Sequence, residues 1–411
     1  MARADALGKI SEEADCLTRT FCSPAMRRAT DLVGAWMREA GMTVREDAIG
    51  NLIGRYQGAT PDAKVFLLGS HLDTVRNAGK FDGPLGVLAA IACVEHLSSQ
   101  GIRPPFALEV AGFADEEGVR YQSTYLGSKV LAGTFNPHDL KRVDSDGIAM
   151  ADAIRAYGGR PEDLAASKLN GDNLLGYLEL HIEQGPVLEE KNLAVGVVSA
   201  IAGQTRAEIR FVGKAGHAGT VPMSLRKDAL CAAAEFILEV ETCAKTHPGL
   251  VATTGKIDAL PGASNVIPGE AKLTLDVRHS DDHIRGGAVQ NLLASAKTIG
   301  KKRRVDVSAE VVHEAASVQC DAWLSGCLES AVKTVQTQAI ILPSGAGHDA
   351  AALSAITPVA MLFVRCKEGL SHHPDESVQA EDAQVGVEAM LEFLRSLAVE
   401  DDPKSRKASA I

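Results

Sequence analysis

The sequence predicts an α/β protein built on a doubly wound sheet, with a smaller α+β domain inserted into the chain. Three apolar runs that end in polar residues predict buried strands, at residues 63–75, 106–118 and 176–186. An apolar stretch at 83–99 follows the first run after a glycine-containing loop and has the length of a helix. This alternation is typical of sheets that place strand-end side chains beside a cleft.

The segments around these runs complete the predicted order of elements. Residues 26–41 space apolar side chains at helical intervals and stop at Gly41, and residues 43–56 alternate as a strand or hairpin would. From about residue 204 the pattern changes to alternating strands around one helix, which we expect from Ser224 to about Cys243.

The chain returns to the first pattern after about residue 318. A helix near 323–335, a glycine-rich turn at 344–353 and a buried strand at 358–366 resemble the elements before the change. We therefore predict a main domain made of residues 1–203 and 318–411, and an inserted domain made of residues 204–317.

Composition excludes several classes of partner. The 411 residues carry a formal net charge of -11, and no basic block exceeds the four residues at 301–304, so nucleic acid is not an expected partner. The sequence has neither a signal-like N-terminus nor an apolar span of membrane length, and its eight cysteines form no C-x-x-C pair. We expect a cytoplasmic protein that does not bind membranes, with a frayed tail from Asp401.

Histidine and acidic side chains stand at the ends of the apolar runs. His71 and Asp73 face the same way on an extended strand, so His71 could bind a metal while Asp73 orients its imidazole. Asp82 begins the next helix, where its two oxygens could bridge two cations, although helix capping explains this residue alone equally well. His181 ends another strand, and a hydrogen-bonded structural role is the usual one for a single histidine.

Two further pairs of residues bear on the chemistry. The carboxylates of Glu116 and Glu117 would repel each other at a buried strand end unless a positive group lay near them and the two residues had different roles. We assign Glu117 as a metal ligand and Glu116 as a general base, and the alternative is a pair of solvated loop acids. His372 and His373 precede Pro374, which restricts the residue before it to extended geometry, and either histidine could bind a metal.

Together the candidate ligands predict a centre for two metal ions. They divide into two groups that share one carboxylate: His71, Asp82 and His181 in the first, and Asp82, Glu117 and His372 in the second. Such an arrangement leaves room for a bridging water. Imidazole and carboxylate ligands without thiolate suit Zn²⁺, Mn²⁺ or Co²⁺.

From about residue 25 to 395 the chain resembles the metal-dependent amidohydrolases of the M20 peptidase clan. All five ligand motifs occur in the family's order, and His181 stands where aminopeptidase relatives carry an acid, which indicates the carbamoylase branch. Four further segments are typical of that branch: "HIEQGPVLE", "GHAGTVPM", "SNVIPG" and "SGAGHDA". Three others most resemble the allantoate amidohydrolases, also called allantoate deiminases: "DEEGVRYQSTYLGS", "AIAGQTR" and "MLFVRC".

The resemblance implies a fold and an assembly. The main domain would be a metallopeptidase-like α/β/α catalytic domain that binds two divalent metal ions, Mn²⁺ or Zn²⁺. The inserted domain would be a lid that also dimerises and contributes groups to the partner's active site, so the working form would be a homodimer.

The resemblance also implies roles for single residues. The first histidine of the family's SHxP motif binds metal, which selects His372, while His373 stands where Asn, Ser or Ala is usual. His217 would stabilise the oxyanion, and Asn265 and Arg278 would hold the substrate. From the residues alone, Arg278 could form a planar fork for a substrate carboxylate, although a surface salt bridge is the commoner arrangement.

Two positions beside these motifs complete the set. Gln184, close to His181, is a plausible amide contact for a ureido group. His348 lies in a glycine-rich turn, where we expect a supporting residue rather than a metal ligand.

The implied reaction is hydrolysis of the ureido group of a small anion. The best match is allantoate, which would give ureidoglycine, ammonia and carbon dioxide in purine-nitrogen salvage. N-carbamoyl-L-amino-acid hydrolase and β-ureidopropionase are the alternatives that share this chemistry. A dipeptidase is less favoured because of His181, and a non-catalytic binding protein would have no need of Glu116 beside Glu117.

Overall fold

The computed structural model describes residues 1–400, so the tail expected to fray from Asp401 lies outside the described residues. The strands, in chain order, are β1 (Thr43–Glu46), β2 (Leu52–Tyr56), β3 (Val65–His71), β4 (Ala107–Phe113), β5 (Leu174–Ile182), β6 (Val195–Ile201), β7 (Gly203–Val212), β8 (Gly216–His217), β9 (Val251–Thr253), β10 (Ile257–Leu260), β11 (Val266–Ile267), β12 (Glu270–His279), β13 (Asp306–Ala315), β14 (Val318–Gln319), β15 (Ile341–Ser344) and β16 (Val359–Val364). The helices are α1 (Ala2–Gly8), α2 (Pro24–Glu39), α3 (Pro84–Ser99), α4 (Leu126–Ala132), α5 (Met150–Tyr157), α6 (Val187–Lys191), α7 (Ala229–Thr246), α8 (Asp282–Arg303), α9 (Ala322–Val335), α10 (Asp349–Leu353) and α11 (Ala380–Glu400).

The chain divides into two units. The first comprises Met1–Ser199, Cys320–Leu342 and residues from Ala346 onward, and the second comprises Ala200–Gln319 and Pro343–Gly345. The second unit thus begins a few residues before the predicted position and takes in a short separate segment.

A mixed sheet forms the centre of the first unit, in the order β1-β2-β4-β3-β5-β16-β6. Its central strands β4, β3, β5 and β16 are parallel, while β1, β2 and β6 run antiparallel to their neighbours. Every residue of β3 and β4 is buried, so both faces of the sheet are covered, as expected where crossover helices pack on both sides. The predicted α/β class is confirmed, with the sheet mixed rather than wholly parallel.

Apolar helices pack against this sheet. Helix α11 contacts both α3 and α9, and all three helices share one core with the central strands. Helix α3 is buried along most of its length, which accounts for its nearly continuous apolar sequence. All eight cysteines are free thiols, in agreement with the absence of a disulfide pattern.

The second unit is an α+β structure around an antiparallel sheet. Its strands follow the order β10-β12-β7-β13, and β9 also pairs with β12. Alternate residues of β7 are buried, and α7 and α8 pack on that apolar face. Strands β8 and β11 form a separate two-stranded ribbon in which His217 pairs with Val266.

The helix predicted from Ser224 begins five residues later, at Ala229, and extends to Thr246 rather than to Cys243. The Asp228 carboxylate accepts a hydrogen bond from the Cys231 backbone N–H, which satisfies a donor that the first turn leaves open. The apolar spacing alone could not reveal this start, because Leu225 suits a helix but lies in a separate short turn.

The chain first leaves the first unit after Ser199 and returns to it at Cys320, and these two points are neighbours. Ile201 in β6 pairs with Val318 in β14, and the backbone N–H of Cys320 donates to the carbonyl of Ser199 at 2.9 Å.

Among the helices of residues 1–400, none combines the length and apolarity needed to cross a membrane.

Candidate metal centre

The candidate ligands gather at one edge of the central sheet. His71 is the last residue of β3, His181 lies at the end of β5, and Glu116 and Glu117 follow β4. His372 comes from the loop after β16. Because these four strands are parallel and adjacent, their carboxyl ends meet, and the side chains that follow them converge.

Asp82 joins the first group of ligands. Its Oδ1 lies 3.1 Å from His181 Nε2 and 3.7 Å from His71 Nε2, and all three side chains are buried. His71 Nδ1 is 3.0 Å from the carbonyl of Asp73, and His181 Nδ1 is 2.9 Å from that of Ile182. Carbonyls on Nδ1 select the tautomer that protonates that nitrogen, so each Nε2 keeps its lone pair for a metal.

The second group uses the other oxygen of Asp82. His372 Nε2 lies 3.2 Å from Asp82 Oδ2 and 3.5 Å from Glu117 Oε1. His373 makes a different contact: its Nδ1 accepts a hydrogen bond from the backbone N–H of Asp375. The structure thus brings His372 rather than His373 to the cluster, which spacing alone had left open.

This arrangement fits two divalent cations. Asp82 Oδ1 is buried without a hydrogen-bond partner in residues 1–400, and such an oxygen requires a positive group. Ligand atoms of each group lie within 4.8 Å of one another, as do those of His71, Glu116 and Glu117. A carboxylate that faces one group with each oxygen is suited to bridging, and the absence of thiolate favours Zn²⁺ or Mn²⁺ over softer metals.

Burial and charge set the protonation of the acids. Burial raises the pKa of Glu116 well above its ordinary value, and the charge of Glu117 raises it further. Burial and then Asp82 raise the pKa of Glu117 to about 7. Burial alone would raise the pKa of Asp82, but the neighbouring imidazoles of His181, His372 and His71 outweigh burial and hold that pKa well below its ordinary value.

Asp73 positions the two glutamates. Its Oδ1 accepts the backbone N–H of Glu116 at 3.0 Å, and its Oδ2 accepts that of Glu117 at 3.1 Å. The carboxylate is 3.4 Å from His71 Nδ1, whereas the Asp73 carbonyl makes the shorter contact of 3.0 Å. Asp73 thus lies beside His71 as the sequence led us to expect, with its carbonyl nearest the imidazole, and its carboxylate also fixes the turn that carries the two glutamates.

Replacement of Asp73 by Asn should weaken metal binding by about 10- to 100-fold, the usual effect of removing a group that supports ligands. The new amide nitrogen cannot accept one of the two backbone N–H bonds. Chelator competition on the purified variant measures this. Asp144→Asn is the matched control, because Asp144 also accepts two backbone N–H groups, and it should bind metal normally. Equal affinities in the two variants would contradict the assignment.

A second set of hydrogen bonds holds the side chain and backbone of Asp82 in place. Its Oδ2 accepts hydrogen bonds from Gln184 Nε2 at 3.0 Å and from Ser371 Oγ at 2.6 Å. Glu376 Oε1 accepts the backbone N–H groups of Phe81 and Asp82, at 2.8 and 3.1 Å. Sequence reasoning missed Ser371 and Glu376, although both stand in the "LSHHPDE" segment that supplies His372.

Gln184 and His348 lie beside the cluster. The amide nitrogen of Gln184 also contacts Ser371 Oγ at 3.1 Å, while its buried Oε1 has no hydrogen-bond partner among residues 1–400. His348 is buried, and its ring centroid lies 4.5 Å from that of His181 in an edge-on arrangement. Burial, followed by the charge of His181, holds the pKa of His348 well below its ordinary value, so its imidazole is neutral.

The remaining predicted residues lie in the second unit. His217 is exposed, and its Nδ1 accepts the Gly219 backbone N–H at 3.0 Å, so a neutral imidazole carries its proton on Nε2. The Asn265 carbonyl accepts the Ala218 N–H at 2.9 Å.

Arg278 forms a two-bond pair with Asp276, at 2.9 and 3.0 Å, and its Nη1 donates to the Gly345 carbonyl at 2.7 Å. A salt bridge on a strand, which the sequence left open as the alternative for this residue, is thus present.

A mixed α/β sheet that ends in a cluster of histidines and carboxylates defines a class, the metal-dependent hydrolases. The chain belongs to Peptidase family M20/M25/M40, whose sequence profile matches residues 67–396. The predicted family and hydrolase class are confirmed.

The similar proteins of known name include N-carbamoyl-L-amino-acid amidohydrolases, allantoate deiminases and a ureidoglycolate hydrolase of Arabidopsis thaliana. The chain is 41% identical over 394 residues to the N-carbamoyl-L-amino-acid amidohydrolase of Pseudomonas sp. (strain NS671). That alignment covers 94% of this chain and 95% of the Pseudomonas protein. It is also 41% identical over 430 residues to allantoate deiminase 1 of Glycine max, covering 97% and 89%. A solved hydantoinase/carbamoylase family amidase from Burkholderia multivorans superposes with a TM-score of 0.92 at 32% identity, covering 97% and 96%.

Proposed function

We propose that this protein is a two-metal amidohydrolase that removes the ureido group of a small anion, with allantoate as its preferred substrate. The observation that carries the proposal is the shared carboxylate of Asp82, which faces His71 and His181 with one oxygen and His372 with the other. Glu116 lies beside this cluster with its pKa raised by burial, as a proton carrier requires.

Five side chains would hold the two ions: His71, Asp82, Glu117, His181 and His372. When bound, Zn²⁺ or Mn²⁺ would supply Lewis-acid chemistry, lowering the pKa of a water and polarising the carbamoyl oxygen. The positive charge of the two ions would also offset the repulsion among the buried acids of the cluster.

Glu116 would take the proton from the attacking water and give it to the departing nitrogen. Water adds to the carbamoyl carbon, the carbon–nitrogen bond breaks, and ammonia leaves with the transferred proton. The remaining carbamate then loses carbon dioxide, which yields ureidoglycine from allantoate. His217 would stabilise the charge that develops on oxygen, because its Nε2–H is the donor that the bond to Gly219 leaves available.

Allantoate and N-carbamoyl-L-amino acids are the two leading substrates. Relatives that carry the two names are equally similar, at 41% identity each. The segments "DEEGVRYQSTYLGS" and "MLFVRC" favour allantoate, and the runner-up is an N-carbamoyl-L-amino-acid hydrolase or β-ureidopropionase.

An activity panel tests the proposal. The Mn²⁺-loaded protein is incubated with allantoate, N-carbamoyl-L-amino acids, N-carbamoyl-β-alanine and a dipeptide, and ammonia release is measured with a chelated control. For the dipeptide, release of free amino acids is followed instead. Fastest chelator-sensitive release from allantoate supports the specific proposal, whereas preference for a carbamoyl amino acid moves the enzyme to the alternative. No turnover of any ureido compound would refute the function.

Replacement of Arg278 by Ala should raise KM by about 10- to 100-fold with little change in metal content, because a lost charged hydrogen bond costs about 1.5–3 kcal/mol. Steady-state kinetics with the preferred substrate measures this. Arg206→Ala is the matched control, since Arg206 is also bound to Asp276 but is not predicted to hold substrate. A wild-type KM in Arg278→Ala would show that this guanidinium does not anchor the substrate.

We also propose that the second unit serves as a lid and dimerisation domain, and that the working form is a cytoplasmic homodimer. The support is the resemblance alone, which implies a contribution of this domain to the partner's site. Light scattering of the purified protein tests it, since a monomer at assay concentration would contradict the proposed assembly.

A further inference from the structure

Arg19 is a fully buried arginine in the segment that precedes α2. Its side chain is 0% exposed, and its guanidinium is bound by carbonyl oxygens rather than by a carboxylate. Nε donates to Leu72 at 2.7 Å, and Nη1 donates to Leu7 at 3.0 Å and to Ile10 at 3.1 Å. Because burial of a charged group is costly, this residue needs an explanation that packing does not supply.

Charge explains part of this placement. Within residues 1–398, Arg19 is the only lysine or arginine of the first unit that is buried. The same unit buries a larger number of acids, among them Asp73, Asp82, Asp115, Glu116, Glu179 and Asp349. Burial lowers the pKa of Arg19 to about 10, and Asp73 opposes that shift, so the guanidinium stays protonated at neutral pH.

The hydrogen bonds of Arg19 explain why the buried charge lies at this particular place in the fold. The Leu72 carbonyl belongs to the peptide bond that joins Leu72 to Asp73, and His71 directly precedes Leu72, so the guanidinium fixes the backbone that carries both residues. The backbone supports the same contact: the Arg19 N–H donates to Thr74 Oγ1, and the Thr74 N–H donates to the Arg19 carbonyl, both at 2.9 Å.

Asp73 carries this restraint onward to the acids. Its carboxylate holds the N–H groups of Glu116 and Glu117, and its carbonyl contacts the imidazole of His71. A shift of the peptide at Leu72 would therefore displace a candidate ligand on one side and the turn of the two glutamates on the other.

We infer that Arg19 is a positioning residue for the metal centre, acting as a clamp that fixes the backbone of Leu72, between His71 and Asp73, against the N-terminal segment. This inference rests on the proposed metal centre. Arg19 acts through hydrogen-bond geometry and touches neither a ligand side chain nor the substrate in this assignment.

The sign of the effect on metal affinity separates the clamp from a simple charge. A positive charge repels a cation, so loss of the charge alone would make Mn²⁺ bind more tightly. Loss of the clamp would misplace the ligands and make Mn²⁺ bind more weakly, by about 10- to 100-fold, as for other groups that support ligands.

Mn²⁺ affinity of the purified protein, measured by competition with a fluorescent chelator, provides the test. The variants are Arg19→Met and Arg19→Lys, with Arg285→Met as the matched control. Arg285 is the buried arginine of the second unit, where it pairs with Asp282 and Thr205. We expect weaker binding in Arg19→Met, partial recovery in Arg19→Lys, which keeps the charge but only part of the fork, and unchanged affinity in Arg285→Met.

A milder variant covers the case in which Arg19→Met and Arg19→Lys do not fold. Thr74→Val removes the Oγ1 acceptor of the Arg19 N–H while keeping the side-chain shape, and should weaken Mn²⁺ binding in the same direction by a few-fold. Wild-type or tighter affinity in the folded variants would overturn the inference. Failure of the wild-type protein to bind Mn²⁺ or Zn²⁺ would instead refute the proposed metal centre, so the two failures are distinguishable.

Discussion

Replacement of Glu116 by Gln is expected to lower kcat by about 10²- to 10⁴-fold while both metal ions stay bound, the usual range for loss of a general base. Glutamine keeps the shape of the side chain but cannot accept a proton from water. Glu116 is 8% exposed, its N–H is held by Asp73, and its carbonyl accepts the Tyr125 N–H, so its backbone should not move.

The experiment pairs steady-state kinetics with metal analysis of the same samples. Glu109→Gln is the matched control, because Glu109 is a buried acid of the preceding strand that pairs with Arg55 at 3.0 Å. That variant should retain its kcat. Loss of a metal ion from Glu116→Gln would make Glu116 a ligand, and an undiminished kcat would show that another group carries the proton.

Replacement of Asp82 by Asn should abolish activity and reduce the bound metal from two ions to one or none. Both oxygens of Asp82 are committed, Oδ1 toward His71 and His181 and Oδ2 toward His372. An amide has no negative charge and offers a single acceptor oxygen, so it cannot bridge two cations.

Metal content after dialysis, together with ammonia release, measures this outcome. Asp163→Asn, a change to an exposed acid that pairs only with Arg160 in the described part of the chain, serves as the control. Two ions bound at wild-type affinity in Asp82→Asn would show that Asp82 is not the bridging ligand.

Much of this site could be predicted because parallel strands deliver their following residues to one edge. His71, the pair Glu116 and Glu117, and His181 each follow an apolar run, so their convergence needed only the sheet order. The sequence could not show whether His372 or His373 is the ligand, because this depends on which ring the loop points toward the cluster. In the structure the ring of His373 is held elsewhere by a hydrogen bond from the Asp375 backbone N–H.

Other features have no local signal in the sequence. Arg19 lies between Thr18 and Thr20, and an isolated arginine is expected at the surface. Its burial follows from three carbonyls, of Leu7 and Ile10 earlier in the chain and of Leu72, 53 residues later, whose meeting the sequence does not reveal. Ser371 and Glu376 were visible in a motif, yet their task of bracing Asp82 depends on contacts across nearly 300 residues of sequence. The salt bridge of Arg278 is different, because its partner Asp276 lies two residues away on the same face of the strand, which is a local signal.

The adjacent chain crossings bear on how such a protein could have arisen. Because the Cys320 N–H bonds to the Ser199 carbonyl, the point where the chain first leaves the first unit lies about 5 Å from the point where it first returns, the spacing of neighbouring strands. A tight turn could span that gap. A single genetic insertion at such a hairpin would add more than a hundred residues while leaving the register of the older sheet untouched, which makes this junction a natural place to exchange whole modules.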